Sequence, residues 1–346
     1  MTIAASAPLD GNVKPLALTM GDPAGIGGDI TLKAWQGHRS TLPPFFVIDD
    51  PARLEALSRA LNLNVPIAPI DGAEDAASKF TDALPVYKIK LKTKPIPGTP
   101  DPTNASSVIS AIETAVRLVQ NGDASAVVTN PIHKESLYGA GFGFPGHTEF
   151  LASLSGIDTP PVMMLVCSGL RVVPVTVHLG LREAIETLDA DSIITQALIT
   201  HNALIKDFNI SRPRIAIAGL NPHAGEGGTM GTEEIDQICP AIKRLQADGV
   251  DAFGPVPPDT LFTSQARGGY DAALCMYHDQ ALIPIKTLDF DRAVNVTLGL
   301  PFVRTSPDHG TAFDIAGTGK ASESSLVAAL NLAADLTRNR TRAKAA

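Results

Sequence analysis

The sequence has few aromatic residues and no long apolar run. Of its 346 residues, 44% are hydrophobic but only 5% are aromatic, so a core would consist mainly of Ala, Val, Ile and Leu. Such a core favours a buried parallel sheet over an all-β sandwich. No apolar run is long enough to cross a bilayer. The start, MTIAASAPLDGN, lacks the charged and apolar regions of a signal peptide. We therefore expect a cytoplasmic protein.

Basic clusters and paired cysteines are also scarce. The net charge is -8, and the one basic run, RNRTRAK near the C-terminus, is interpreted as a frayed end rather than a nucleic-acid arm. Nucleic acid and anionic membranes are therefore not expected partners. Cys167, Cys239 and Cys275 show no CxxC spacing and adjoin apolar residues, which predicts buried reduced thiols.

Strand and helix patterns alternate in the first third of the chain. A predicted strand, Val13 to Met20, is followed by the glycine-rich turn GDPAGIGG and by a helix from Asp29. The same alternation continues through FFVID, PARLEALSRAL, SSVISAIETAVRLVQNG and SAVVTNP. This order predicts an α/β fold with a mixed, mostly parallel sheet.

The pattern changes from Ser136 onward. VMMLVCSG and RVVPVTVH are two apolar strands joined by a short Gly-containing turn, which predicts an antiparallel hairpin. Further helices and strands follow, and the last helix, SSLVAALNLAADLT, is expected to pack on the first lobe. We predict a first lobe of residues 13–135 plus 305–340, a second lobe of residues 136–304, and a cleft between them.

Three histidines lie at or just beyond the ends of predicted strands. They are His178, His223 and His278, in VTVHLG, LNPHAGEGG and MYHDQ. Ligands of open α/β folds gather at the carboxyl ends of strands, and neutral imidazole suits Zn, Co, Fe or Ni better than Ca. Each histidine alone also fits a structural, hydrogen-bonded role. Their shared position favours a metal site.

Two carboxylates accompany these histidines. Asp279 follows His278, and Asp259 lies in GPVPPDTLF. Either side chain is suited to orient an imidazole or to act as a general base, although Asp259 also fits an N-cap. In PGHTEF, His147 and Thr148 lie at a predicted helix start, where backbone N–H groups attract a carboxylate or phosphate. Thr148 equally fits an N-cap.

Polar residues interrupt two apolar stretches that are interpreted as strands. Lys286 lies in LIPIKTLDF, whereas Asn295 and Arg304 lie in AVNVTLGLPFVRT. Strand interiors seldom carry such residues unless they are paired or face a polar cleft. Together they are suited to hold a phosphate and a carboxylate, and a salt-bridged rim is the alternative. The loop GDPAGIGG matches neither GxGxxG nor GxxxxGK[ST], so its glycines indicate close backbone packing, against a ligand or the other lobe.

These motifs resemble the 4-hydroxythreonine-4-phosphate dehydrogenase family of vitamin B6 synthesis. The shared blocks run in one order: GDPAGIG, TNPIHK, GHTEFLA, VTVHLGLREA, NPHAGEGGTMGTEE, GPVPPDTLF, YHDQALIPIKTLDF and HGTAFDIAGTGKA. The segment from His309 to Gly317 is similar to the cofactor loop of isopropylmalate and isocitrate dehydrogenases. The resemblance implies their two-lobed fold and NAD, with NADP as an alternative, bound by His309, Gly310, Thr311, Ala312 and Asp314.

The resemblance also implies a reaction and its residues. A homodimer would oxidise and decarboxylate 4-phosphooxy-L-threonine to 3-amino-2-oxopropyl phosphate, with one divalent ion (Zn, Mg or Co) per site. His178, His223 and His278 would bind the ion across the dimer interface. The implied substrate contacts are His147, Thr148, Lys286, Asn295 and Arg304. The candidate catalytic residues are Asp279, Asp259 and Lys286.

Several alternatives remain open at this point. Related dehydrogenases act on 4-phospho-threonate or -erythronate, or on aromatic cis-dihydrodiol carboxylates, with the same metal histidines; His133 in TNPIHK favours the B6 enzyme. The chain departs from the family at Gly28, where many members have proline, and at Asp29, where many have glutamate. A metal hydrolase, or a non-catalytic metabolite-binding or metal-storage protein, is the rival class.

Overall fold

The computed structural model describes residues 14–144 and 146–345, so the predictions on MTIAASAPLDGN and Val13 lie outside the described residues. The described chain forms two compact units. The first unit contains the chain up to Pro161 together with Leu300–Arg338, and the second contains Val162–Gly299 and the chain from Asn339. Each unit combines strands with helices, which confirms the predicted α/β class.

The strands are short and most of them are buried. They are β1 Leu16–Thr19, β2 Phe45–Asp49, β3 Ile67–Ile70, β4 Leu84–Lys88, β5 Val127–Thr129, β6 Val162–Cys167, β7 Leu170–Pro174, β8 Arg214–Ala218, β9 Asp251–Val256, β10 Ala272–Cys275, β11 Val294–Leu298 and β12 Arg304–Pro307.

The helices vary from one turn to six. They are α1 Gly27–His38, α2 Pro51–Ala60, α3 Ala76–Lys79, α4 Ala105–Gln120, α5 Lys134–Tyr138, α6 His147–Ser155, α7 Leu181–Glu186, α8 Ala190–Lys206, α9 Cys239–Ala247, α10 Pro258–Leu261, α11 His278–Leu288 and α12 Ser324–Ala345. A π-helical turn, Glu234–Ile238, precedes α9. Within residues 14–144 and 146–345, none of the helices has the length and apolar character needed to cross a membrane.

The sheet of the first unit is parallel. Its strand order is β3-β4-β2-β1-β5-β12, and each neighbouring pair is parallel. Helix α4 packs on this sheet with the apolar face that its sequence spacing predicts, including Val108, Ala111, Ile112 and Ala115. Helix α12 contributes as predicted to the same unit, where the Thr305 hydroxyl donates to the Ala329 carbonyl at 2.9 Å.

The sheet of the second unit is mixed. Its order is β11-β6-β7-β10-β8-β9, with β6 antiparallel to both of its neighbours and the remaining pairs parallel. The predicted hairpin is confirmed as β6 and β7, which are joined at Gly169 with a φ of 81°. Because β7, β10 and β8 are parallel neighbours, their carboxyl ends lie at one edge of the sheet. The chain segments that lead to His178, His278 and His223 leave from this edge.

Two strand predictions were wrong. LIPIKTLDF lies in helix α11 and the turn after it, so Lys286 is helical; buried Ala281 and Ile285, four positions apart, form the inner face of this helix. AVNVTLGLPFVRT is two strands, β11 and β12, which belong to different units. Gly299, with a φ of 86°, separates them.

The unit boundary differs from the predicted lobe boundary. Residues 136–161 belong to the first unit because Leu137, Phe142, Phe150 and Leu151 join the core formed by α4. The division therefore falls after Pro161 and after Gly299, rather than after residues 135 and 304.

The basic C-terminal run is ordered, so its interpretation as a frayed end was wrong. It is part of α12, and the Arg340 guanidinium donates to both oxygens of buried Asp207 at 2.5 and 2.9 Å. All three cysteines are free, as predicted; Cys167 and Cys275 are buried, and Cys239 is half-buried.

Candidate active site

Two of the predicted metal ligands lie side by side in the second unit. The rings of His178 and His278 have centroids 6.3 Å apart. They line a cleft of about 330 Å³ whose remaining walls are Val177, Leu179, Leu181, Ala184, Tyr277 and Asp279. His278 Nδ1 lies 2.7 Å from Asp279 Oδ1. A carboxylate that accepts a hydrogen bond from Nδ1 fixes the imidazole tautomer. The lone pair of Nε2 is then available to coordinate a metal.

The third predicted ligand is carried by an unusual loop. His223 is exposed and has a φ of 52°, and the next four residues, through Gly227, are also left-handed. Within residues 14–144 and 146–345, no three His, Cys, Asp or Glu side chains are grouped closely enough to hold a metal. One chain thus brings together His178 and His278, and His223 does not complete a three-ligand group with them. Two imidazoles, one of them hydrogen-bonded to the Asp279 carboxylate, are suitable ligands for a divalent ion such as Zn or Co.

Asp259 is exposed in the first turn of α10. The N-cap of that helix is Pro257, so the alternative role of Asp259 as the cap is not found.

A second polar group lies in the first unit, at the start of α6. Gly146 is the N-cap of this helix, and His147 and Thr148 are its first two residues, so the cap role considered for Thr148 is not found. Burial lowers the pKa of His147 well below its ordinary value, and the positive charges of Arg304 and Lys134 lower it further. Among the described residues, buried His147 Nε2 has no hydrogen-bond partner. A neutral imidazole is therefore available here to a ligand.

Arg304 supplies the main buried charge of this group. It is 4% exposed on β12, and its Nη2 donates to the Thr129 hydroxyl at 2.6 Å. Burial lowers its pKa to about 10, and Glu149 partly opposes this effect. The guanidinium therefore stays charged at neutral pH. A buried guanidinium beside a helix N-terminus is suited to bind a phosphate or carboxylate.

The other two predicted substrate contacts belong to the second unit. Lys286 is half-buried on α11, with Nζ 5.3 Å from the ring centroid of Phe290. Asn295 lies on β11, and within the described part of the chain its buried Oδ1 has no hydrogen-bond partner. Asn295 is thus a second polar group whose bonding capacity is available to a ligand.

The predicted cofactor loop packs on the glycine-rich loop of the same unit. The Ile26 amide donates to the Thr311 carbonyl at 3.0 Å, and a Cβ on Gly25 would lie 2.9 Å from that oxygen. Ala312 is left-handed, with a φ of 42°, and precedes a 3-10 turn. The predicted close packing of glycine is found against the 309–317 segment of the same unit.

Both departures from the family pattern lie beside this contact. A Cβ on Gly28 would lie 2.7 Å from Leu57, so glycine lets α1 approach α2 closely. The Asp29 carboxylate accepts the Gly317 amide at 2.9 Å, which connects α1 to the end of the 309–317 segment. His133 supports the same loop, because its ring packs edge-on against Phe313 with centroids 5.1 Å apart.

Sequence reasoning missed two buried polar residues near the histidines. Glu234 is 3% exposed and Gln280 is 6% exposed. Both lie inside the motif blocks that contain His223 and His278, and a buried polar residue beside a predicted ligand is the signal that could have identified them.

Comparison with known proteins identifies the family. The model of the family described as pyridoxal phosphate biosynthetic protein PdxA matches residues 41–333. The chain belongs to this family. A Bradyrhizobium diazoefficiens protein named 4-hydroxythreonine-4-phosphate dehydrogenase is 54% identical over 332 residues, which cover 92% of this chain and 96% of that protein. A Caulobacter vibrioides protein of the same name is 51% identical and covers 94% of this chain and 98% of its own length.

Solved structures agree with this PdxA membership and confirm the predicted resemblance. The crystal structure of a Klebsiella pneumoniae 4-hydroxythreonine-4-phosphate dehydrogenase is 38% identical, with a TM-score of 0.83 over 94% of this chain and 99% of that one. A terephthalate 1,2-cis-dihydrodiol dehydrogenase from Burkholderia xenovorans is 28% identical, with a TM-score of 0.62 over 94% and 98% of the two chains. This PdxA-family chain is thus more similar to the first structure than to the second.

Proposed function

We propose that this chain is an NAD-dependent 4-hydroxythreonine-4-phosphate dehydrogenase. It would oxidise and decarboxylate 4-phosphooxy-L-threonine to 3-amino-2-oxopropyl phosphate in the synthesis of pyridoxal 5'-phosphate, and NADP is the alternative cofactor. The observation that carries the proposal is the 54% identity, over 92% of the chain, to a relative of that name. The lower similarity to a dihydrodiol dehydrogenase disfavours an aromatic substrate.

The group at the start of α6 supports a phosphorylated, anionic substrate. The buried Arg304 guanidinium is held in place by Thr129 and is suited to bind an anionic oxygen in a bidentate manner. His147 is neutral and can exchange a hydrogen bond with the substrate without adding charge. Thr148, Lys286 and Asn295 are further proposed contacts.

A divalent metal would be held by His178 and His278 together with the partner subunit's His223. When bound, such an ion supplies Lewis acidity that lowers the pKa of a substrate hydroxyl and polarises the carbonyl formed on oxidation. NAD, at His309–Asp314, would accept the hydride. The fit of the metal is supported by the paired rings in one cleft and by the carboxylate on His278 Nδ1.

Asp279 is the proposed proton acceptor for the substrate hydroxyl. It lines the same cleft as both histidines and is 69% exposed, so its carboxylate is accessible to a substrate. Its bond to His278 also holds that ring in one orientation. Asp259 and Lys286 are the other candidates for this proton transfer.

Exposed apolar side chains near all three histidines support a homodimer. Seven large apolar residues close in sequence to the histidines are at least 41% exposed. They are Leu179, Leu181, Met230, Ile235, Ile283, Leu288 and Phe290. Clusters of exposed apolar surface mark protein interfaces. A second copy of the chain would bury this surface and bring its own His223.

We expect the reaction to take place in the cytoplasm.

A substrate panel tests the proposed reaction. Purified protein is incubated with NAD, a divalent metal and either 4-phosphooxy-threonine, phosphothreonate or phosphoerythronate, and NADH absorbance is followed. We expect NADH with the first compound and much less with the others. Phosphate release without NADH would indicate a metal hydrolase instead.

Mixing two inactive variants tests whether the site is shared. His223→Ala and His278→Ala should each abolish NADH formation, whereas His38→Ala, at the end of α1 in the first unit, should not. If each site takes His278 from one subunit and His223 from the other, heterodimers regain one intact site. An equal mixture that exchanges subunits should then recover about a quarter of wild-type activity. No recovery after verified subunit exchange would contradict a shared site.

A further inference from the structure

The three histidine-bearing segments are joined by a buried hydrogen-bond network. Three polar side chains form it: Thr176, Glu234 and Gln280, which are 9%, 3% and 6% exposed. Buried polar groups are destabilising unless they are hydrogen-bonded, and each of these is bonded to backbone that leads directly to a histidine. We call these three residues the histidine frame.

Gln280 is the central link of the frame. Its Oε1 accepts the Met276 amide at 2.6 Å, and its Nε2 donates to the Gly219 carbonyl at 2.8 Å. Met276 lies two residues before His278, and Gly219 begins the segment that leads to His223. One side chain therefore holds together the residues that directly follow β10 and β8, Met276 and Gly219.

Thr176 joins the segment that carries His178 to the backbone of Met276. Its hydroxyl donates a hydrogen bond to the Met276 carbonyl at 2.8 Å, and its backbone amide donates to the same oxygen at 3.3 Å. His178 lies two residues further on. The backbone of Met276 is thus bonded through its amide to Gln280 and through its carbonyl to Thr176.

Glu234 holds the base of the left-handed His223 loop. Its Oε1 accepts the amides of Leu220 and Asn221 at 2.7 and 2.8 Å, and its Oε2 accepts the Asn221 side-chain amide at 2.9 Å. These bonds lower the pKa of Glu234, although burial opposes them. A Cβ on Gly225 would lie 2.6 Å from Oε2, so the loop closes tightly around this carboxylate.

We propose that Gln280, with Thr176 and Glu234, is a positioning residue. The frame of one chain orients its own His178 and His278 for one proposed metal site and its own His223 for the site of the partner subunit. The inference rests on the proposed metal site. None of the three side chains is assigned to the metal or to the substrate. Their bonds act two residues before each histidine, at Thr176, Asn221 and Met276. Because the left-handed conformation of His223 and Ala224 is unfavourable for residues with a Cβ, the loop needs such external bonds to keep its geometry.

The test measures metal binding directly. Co²⁺ is titrated into chelator-treated full-length protein, and both its affinity and its visible absorption spectrum are recorded. Gln280→Leu removes both frame bonds at similar volume; it should weaken Co²⁺ binding about 10- to 100-fold and change the spectrum. Gln246→Leu is the control, because it makes the same substitution at a glutamine whose side chain bonds the Ala252 carbonyl, outside the three histidine-bearing segments. It should leave both readouts unchanged.

Two further variants keep the test decisive if Gln280→Leu does not fold. Gln280→Glu keeps an acceptor for the Met276 amide but places a buried carboxylate oxygen against the Gly219 carbonyl, so it should also weaken Co²⁺ binding. Glu234→Gln should also weaken Co²⁺ binding, whereas the exposed Asp236→Asn should not.

Folded frame variants with wild-type Co²⁺ affinity and spectrum would overturn the proposal, even if they melt at a lower temperature. A wrong assignment of the metal site would give a different result from a wrong assignment of the frame. In that case His178→Ala and His278→Ala would also bind Co²⁺ like the wild type.

Discussion

His147 is an imidazole that the fold keeps neutral. Its pKa is lowered by burial first and then by Arg304 and Lys134. In the unfolded chain an imidazole has a pKa of about 6.5. Below that pH the unfolded state binds a proton that the folded state does not. By linkage, this group therefore lowers the stability of the fold as the pH falls from about 6.5.

We predict that His147→Asn reduces the loss of stability on acidification. The free energy of unfolding in urea is compared at about pH 7.5 and about pH 5 for wild type and variant, and one proton contributes at most about 1.4 kcal/mol per pH unit. Asp22 and Asp29, whose pKa values burial raises, act in the opposite direction in both proteins and cancel in the difference. His38→Asn serves as the control. An unchanged pH dependence in His147→Asn would contradict the proposed neutral imidazole.

At the scale of elements, two loops of the first unit depend on each other. The glycine-rich loop before α1 and the 309–317 segment are joined through Gly25 and Thr311, without space for a side chain between them. The family resemblance assigns cofactor binding to the second of these loops. Its conformation therefore depends on a residue almost 300 positions earlier in the chain.

We predict that Gly25→Ala weakens NADH binding about tenfold or more and lowers the melting temperature. The added Cβ would meet the Thr311 carbonyl at 2.9 Å and must displace the loop. Such displacements can reduce activity about a hundredfold when they reach about 1 Å. Gly37→Ala in α1 is the matched control, since a Cβ there meets nothing within 4 Å. NADH fluorescence titration gives the affinity, and equal affinities for the two variants would refute the assignment of this loop.

The elements could be predicted from the sequence where one periodicity dominated. The β6–β7 hairpin and helices such as α4 carry clear apolar patterns, and both were predicted. LIPIKTLDF was wrongly predicted as a strand because a short apolar run does not distinguish a strand from a buried helix face. Strand β9 was missed because its Gly254 and Pro255 are residues that usually interrupt strands.

At the scale of the whole molecule, exposed apolar side chains of the second unit support the proposed dimer. Phe290 is 71% exposed and Ile283 is 64% exposed, and both are close in sequence to His278. Water-exposed side chains of this size are unfavourable in a monomer and are typical of interfaces.

We predict that Ile283→Glu converts a dimer into monomers and weakens metal binding in the same protein. A carboxylate placed on a buried interface would be desolvated without a partner. Ile96→Glu is the control, because Ile96 is equally exposed, at 65%, but lies in the first unit. Sedimentation velocity reports the mass. A dimeric Ile283→Glu protein with wild-type metal affinity would contradict this prediction.

The sequence predicted the strand-end position of the histidines but not the boundary between the two units. The strand-end position of His178, His223 and His278 could be predicted because parallel strands have a common carboxyl edge. The lobe boundary could not, because the side chains that place residues 136–161 in the first unit, such as Phe142 and Phe150, are separated in sequence from the α4 core they join. The frame residues were missed because a lone Gln or Glu has no periodic signal.

The spacing between the histidine frame and the histidines has a consequence for how such enzymes diverge. Every frame bond is made at least two residues away from a histidine, so exchanging one of the proposed metal-binding histidines for another residue type removes no bond of the frame. At the proposed metal site, the metal preference could then change one ligand at a time on an intact fold.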